Sequence, residues 1–198
     1  MAALKQERVR DNRAAALCDA GGSALVVVDI QSRLTAAMPA KVLARLQRNV
    51  TLLLEAAQKL RVPVFASEQN PQGLGSLEPD IVKLLPEGSR RYAKTAFSLA
   101  ADAGFLKELE SSGRRQVILA GMEAHVCILQ TALELQAAGY EVFVVADAIC
   151  SRHRESYETA LARIRQAGVI VNDAESVLFE WLRDSRHEQF KPLQSLIR

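Results

Sequence analysis

A chain of 198 residues, 49% hydrophobic and 24% charged, is long enough to bury one sizeable core and short for two domains. Its net charge of +2 and lack of any long basic run do not call for a polyanionic partner, so nucleic acid is not indicated. Three cysteines, Cys18, Cys127 and Cys150, show no CxxC spacing and no nearby pair of histidines, which excludes a disulfide framework and a structural zinc site. A reducing compartment, the cytoplasm, is expected. No apolar run approaches the roughly 20 residues of a membrane span, and the N-terminus lacks the apolar stretch of a signal peptide.

Residues 1–22 read as a polar, Ala-rich helix or arm ended by Gly21-Gly22, and 23–198 as a single domain. Ser23 to Val28, SALVVV, is apolar on both faces, as a strand of a parallel sheet must be, and runs into Asp29. From Pro39 to Leu60 the apolar residues Val42, Leu46, Val50, Leu53 and Leu54 recur at helical spacing. Val62 to Ala66 is the second predicted strand and opens into SEQNPQGLGSLEPD, a loop rich in Gly and Pro. Gly73-Leu74-Gly75 in that loop is no dinucleotide fingerprint, because the third glycine is missing and the pair lies too far beyond the strand to open a helix. A short helix around Asp80 to Leu85 follows, then an extended piece leading through SRRYAKTAFS to Lys94, then a helix from Asp102 to Ser112.

Gln116 to Gly139, QVILAGMEAHVCILQTALELQAAG, is the stretch around which the chain is organised. Val117 to Ala120 reads as a buried strand closed by Gly121, and a helix is predicted from about His125 to Gly139. Cys127 therefore falls in the first turn of a helix, where unpaired N–H groups and the positive end of the dipole favour a thiolate. Burial as a small hydrophobe is the alternative for this cysteine, and a solvated charge is the alternative for Lys94. Glu141 to Ala146 is a further strand, leading to Asp147 and a polar turn from Cys150 to His153. Arg154 to Ala167 is helical, Val169 to Asn172 a last strand, and Ala174 to Arg183 a helix carrying Trp181.

This alternation of strand and helix predicts an α/β fold of Rossmann-like type, a three-layer αβα sandwich on a mainly parallel six-stranded sheet of order 3-2-1-4-5-6. In such sheets ligands sit outside the C-terminal strand ends, where the strand order reverses. Asp29 and Cys127 would flank that crevice, with Lys94 in reach. A thiol, a carboxylate that takes its proton and an ammonium that holds both form a self-consistent nucleophilic site.

Asp29 after VVVD, Lys94 in YAKTAFS and Cys127 in GMEAHVC together resemble the isochorismatase-like cysteine hydrolases, over roughly Ser23 to Val177. SEQNPQGLG and GMEAHVCILQTALEL are most similar to the isochorismatase-domain-containing group. The resemblance implies that Cys127 is the nucleophile forming an acyl-enzyme, Asp29 the general base and Lys94 the cation that steadies the ionised pair. It also implies a cis Met122–Glu123 peptide and an oxyanion hole of the Glu123 and Cys127 N–H groups. Leu34, Gln69, Tyr92, Phe97, Met122 and His153 are candidate pocket residues by family position, with core packing the alternative for the apolar ones. Nicotinamidases carry an Asp-x-His metal site after the second strand, whereas this chain has Ser67-Glu68-Gln69, so no metal and no other cofactor is expected. Isochorismatases proper have glycine in place of Cys127, which turns the expectation from vinyl-ether hydrolysis to cleavage of an amide, ureido or imide C–N bond in a small molecule. The family also implies a homo-oligomer.

His125 lies two residues from Cys127, a spacing at which side chains do not face each other, so it is read as a pocket wall rather than the base. Cys150 is read as inert. A catalytically silent oligomeric scaffold and a redox-sensing thiol are the competing readings.

Overall fold

Runs such as SALVVV, apolar on both faces, can be buried only between two helical layers. The computed structural model describes residues 17–197, and the first sixteen residues of the predicted N-terminal arm lie outside the described residues. The chain runs β1 (Ser23–Val28), α1 (Ser32–Thr35), α2 (Ala40–Leu60), β2 (Val64–Gln69), α3 (Pro71–Leu74), α4 (Pro79–Leu84), β3 (Arg90–Lys94) and α5 (Ala103–Ser111). It continues with β4 (Gln116–Met122), a π-helical turn (Ala124–Ile128), α6 (Leu129–Ala137), β5 (Glu141–Cys150), α7 (Arg154–Gln166), β6 (Ile170–Asn172), α8 (Ala174–Leu182) and α9 (Phe190–Gln194).

The six strands form one parallel sheet in the predicted order, β3-β2-β1-β4-β5-β6. Alternate residues of β1 serve different layers. Leu25 and Val27 join the core made with α2 and α8, whereas Ala24, Val26 and Val28 join the core made with α5, α6 and α7. Cys18 is fully buried against α8, its N–H bonded to Glu180. Among the described residues no helix is long and apolar enough to cross a membrane.

Two strands run further than predicted. β2 does not stop at Ala66, because Ser67, Glu68 and Gln69 pair with Tyr92, Ala93 and Lys94 of β3. β5 does not stop at Ala146 either. After a register shift, Ile149 and Cys150 pair with Gly121 and Met122, so Cys150 lies in a strand and not in a polar turn. The carbonyls around the shift are taken by side chains from flanking helices: Tyr157 Oη donates to Ala146, Asn49 Nδ2 to Asp147 and Arg45 Nη2 to Ile149. Polar side chains thus replace the ladder where it breaks.

The switch point between β1 and β4 requires a glycine. Gly121 has φ 119°, and a Cβ there would lie 2.0 Å from the Val28 carbonyl oxygen. We expect Gly121→Ala to destabilise the fold by about 2–5 kcal/mol, combining backbone strain with overpacking. Chemical denaturation would measure it, and a loss below about 1 kcal/mol would contradict this account of the close approach.

Candidate active site

β1, β2, β3 and β4 are parallel neighbours, so their C-terminal ends open on one edge of the sheet. Asp29 leaves β1 with φ 52° and is fully buried. Its N–H donates to the Ser67 carbonyl of β2 at 3.0 Å. One carboxylate oxygen, Oδ1, accepts from Ser67 Oγ at 2.7 Å, and the other, Oδ2, accepts from Lys94 Nζ at 2.7 Å. The side chains of Lys94 and Asp29 are only 2% and 0% exposed, so this ion pair sits out of water.

A buried ammonium needs acceptors for all three of its protons. Lys94 Nζ has them: Asp29 Oδ2, Gln69 Oε1 at 2.7 Å and the Phe97 carbonyl at 2.9 Å. The Gln69 amide is oriented by its own Nε2, which donates to the Thr95 carbonyl at 2.8 Å. Its backbone is held in turn by Gln31, a fully buried amide that accepts from the Gln69 N–H at 2.7 Å and donates to the Gln69 carbonyl at 3.0 Å.

Cys127 lies in the π-helical turn after β4 and is 5% exposed. It is close enough to the pair to feel both charges. Burial, reinforced by the Asp29 carboxylate and opposed by Lys94, pushes the thiol up to about 12. Burial thus works against the thiolate that a helix N-terminus favours. The site sets a buried thiol with a raised pKa beside an ion pair.

The Met122–Glu123 peptide is cis. Beyond it, the Glu123 carbonyl accepts from Val126 at 3.1 Å and Ile128 at 3.3 Å, passing over the N–H of Cys127. The Glu123 carboxylate, nearly buried, accepts from the Arg152 N–H at 3.0 Å and lies 3.4 Å from Arg152 Nη2. His125 Nδ1 pairs with Ser151 Oγ at 2.9 Å. Two bonds therefore tie the turn to the segment after β5.

The remaining candidates are dispersed. Phe97, 52% exposed, offers its carbonyl to Lys94. Met122 is fully buried in the core on the α2 side, and Leu34 packs against that same core. The Tyr92 ring packs against Phe65 and Phe105 while its hydroxyl donates to Glu108. His153 is exposed at the N-cap of α7. Ser67 and Gln69 are committed to the ion pair and Glu68 Oε1 to the Leu77 N–H at 2.8 Å, a donor set that does not fit a metal ion. A cleft of about 850 Å³ opens instead between Arg61, Arg90 and Arg114 at the opposite strand ends, away from this chemistry.

A family model described as Isochorismatase domain matches residues 23–176. The chain belongs to that family. It is 37% identical over 177 residues to isochorismatase domain-containing protein 2 of Danio rerio, covering 89% of this chain and 87% of that one. Its structure is similar to that of the MAR1 ribonuclease from Caenorhabditis elegans, with TM-score 0.86, 33% identity and 92% of each chain covered. It is also similar to the YcaC gene product of Escherichia coli, described as an octameric hydrolase of unknown specificity, with TM-score 0.83, 26% identity and coverage of 92% and 89%.

Sequence reasoning missed several residues in this isochorismatase-family site: Ser67, Gln31, the Glu123 carboxylate, Ser151 and Arg152. Ser67 stood in a stretch read as loop, and only its register beside Asp29 reveals it. For Gln31 and Arg152 no spacing offered a signal.

Two measurements follow from the geometry. Replacing one partner of the ion pair, in Lys94→Met or Asp29→Asn, should cost about 3–5 kcal/mol of stability by stranding the other, and the double variant should cost less than the sum of the two. Additive losses would mean that the pair is not coupled. Because only the thiolate reacts, iodoacetamide labelling of Cys127 should rise about tenfold per pH unit from pH 7 to 10 with no plateau, ahead of the fully buried Cys18 and Cys150. A plateau near pH 8 would show that burial does not control this thiol.

Proposed function

We propose that the chain is a cysteine hydrolase that cleaves an amide, ureido or imide C–N bond of a small molecule through an acyl-enzyme on Cys127. The observation that carries this reading is the convergence of a buried thiol, a buried carboxylate and a saturated ammonium at the switch point of the sheet. As Cys127 Sγ bonds to the substrate carbonyl carbon, its proton passes to Asp29. The carbonyl oxygen becomes an oxyanion, received by the N–H groups of Glu123 and Cys127. Collapse of the intermediate breaks the C–N bond, and the leaving nitrogen takes the proton from Asp29. Water then attacks the thioester with Asp29 as base, releasing the acid and restoring the thiol. Lys94 touches no substrate in this scheme. It keeps the Asp29 carboxylate paired and in place while the proton comes and goes.

The octameric YcaC neighbour supports a homo-oligomer, and three unpaired cysteines support a reducing, cytoplasmic setting. A silent scaffold of the same fold is the second reading. It is favoured by one observation: the three side chains expose no more than 5% of their surface each.

Ammonia release from a panel of carbamoyl compounds, nicotinamide-like amides and short acyl amides separates the two, with RNA strand cleavage followed alongside because a relative is named a ribonuclease. At least one C–N substrate should turn over, and Cys127→Ala should slow it by roughly 10³-fold or more. Equal rates for both proteins across the panel would favour the scaffold.

A further inference from the structure

Of the groups around Asp29, the hydrolytic scheme leaves one unused. Ser67 Oγ is fully buried on β2 and donates to Asp29 Oδ1 at 2.7 Å, on the oxygen opposite the one held by Lys94. We propose that Ser67 is a positioning residue for the general base: its hydroxyl fixes the plane of the Asp29 carboxylate and keeps it charged, ready to take the thiol proton. The inference rests on the hydrolase reading and deepens it.

The surroundings leave this task to few other groups. Asp29 is faced by Lys94 from β3 and by Cys127 from the turn after β4, while the neighbouring Gln31 and the β2 residues Ser67 and Gln69 are neutral. Glu68 is turned to the Leu77 N–H and Glu123 to Arg152, and neither carboxylate, having only acceptor oxygens, could stand in for the hydroxyl donor. Lys94 alone fixes one oxygen and would leave the carboxylate able to rotate about that contact. Two donors on two oxygens define the plane, since a carboxylate bonded at both ends has one orientation. Burial adds the penalty: without the hydroxyl, Oδ1 is an unpaired acceptor in a dry site, a state that favours protonation of the acid.

The test uses 4-nitrophenyl acetate as an acylating probe, with the pH dependence of kcat and KM followed for wild type and variants. Wild type should show an acid limb, and Asp29→Asn should lose the Cys127-dependent rate. Ser67→Ala should shift that limb upward by about one pH unit and lower kcat about tenfold with little change in KM. Ser67→Thr, which retains the hydroxyl, should keep the limb in place. A role confined to stability would lower the melting temperature and leave the limb unmoved, which would overturn the proposal, as would a Ser67→Thr limb displaced as far as that of Ser67→Ala. A rate unaffected by Cys127→Ala would overturn the hydrolase reading and this inference with it. A Cys127-dependent rate with an unmoved Ser67→Ala limb would remove the Ser67 assignment alone.

Discussion

Taking a carboxylate and an ammonium out of water is costly, and their mutual attraction compensates only when the remaining lone pairs and protons are satisfied. The Asp29–Lys94 pair at 2.7 Å meets that condition because elements far apart in sequence supply the rest: a hydroxyl from β2, an amide from the same strand and a carbonyl from the segment after β3. Each of those partners has to be held as well. Gln31 pins Gln69, and Gln69 bonds Thr95 with the end of its amide that Lys94 does not use. The polar site is therefore a closed network around one ion pair, and every member matters because a half-satisfied network in a dry site is worse than none.

The sheet makes that closure possible. In parallel order all strand ends that carry function leave the same edge, and Asp29, Gln69, Lys94 and the cis peptide each stand at or just beyond a C-terminal strand end. The approach of β4 to β1 depends on Gly121, which lets the backbone come within contact of Val28. Where β5 breaks register, Arg45, Asn49 and Tyr157 take up the freed carbonyls, and the strand then reaches Cys150. That extension delivers Ser151 and Arg152 to the turn bearing Cys127. The irregular strand and the turn bearing Cys127 are thus linked through His125 and Glu123.

Much of this was legible in the residues because burial on two faces leaves a plain mark. SALVVV and QVILAG could be little else than central strands, and their order in the chain led to the observed sheet. What stayed hidden was polar structure inside an apolar frame. Ser67, Glu68 and Gln69 read as loop because polarity is the ordinary mark of solvent, yet they complete β2 and two of the three are buried against partners no local pattern reveals. The end of β5 was lost for the same reason, with Asp147 mistaken for a boundary. Asp29, Lys94 and Cys127 were singled out at the predicted strand ends and by a family resemblance, but the 2.7 Å contact of Lys94 with Asp29 came only from the fold.

The state of Cys127 shows how strongly context decides chemistry. A helix N-terminus lowers a thiol's affinity for its proton, but here the turn is π-helical and the sulfur is nearly enclosed, beside a carboxylate. Desolvation and the negative neighbour act in the same direction, and Lys94, whose three protons are already engaged, offsets them only in part. A resting thiolate would place two anions against one cation in a medium that screens poorly. A neutral thiol avoids that, and under the proposed mechanism it would set the order of proton transfer and attack. In the hydrolysis proposed above the proton leaves as the sulfur attacks, when the developing charge has moved onto the carbonyl oxygen and the N–H groups of the turn can receive it. In the proposed hydrolysis Cys127 would then stay quiet until a carbonyl of suitable shape arrives, and selectivity would be built into the ionisation itself.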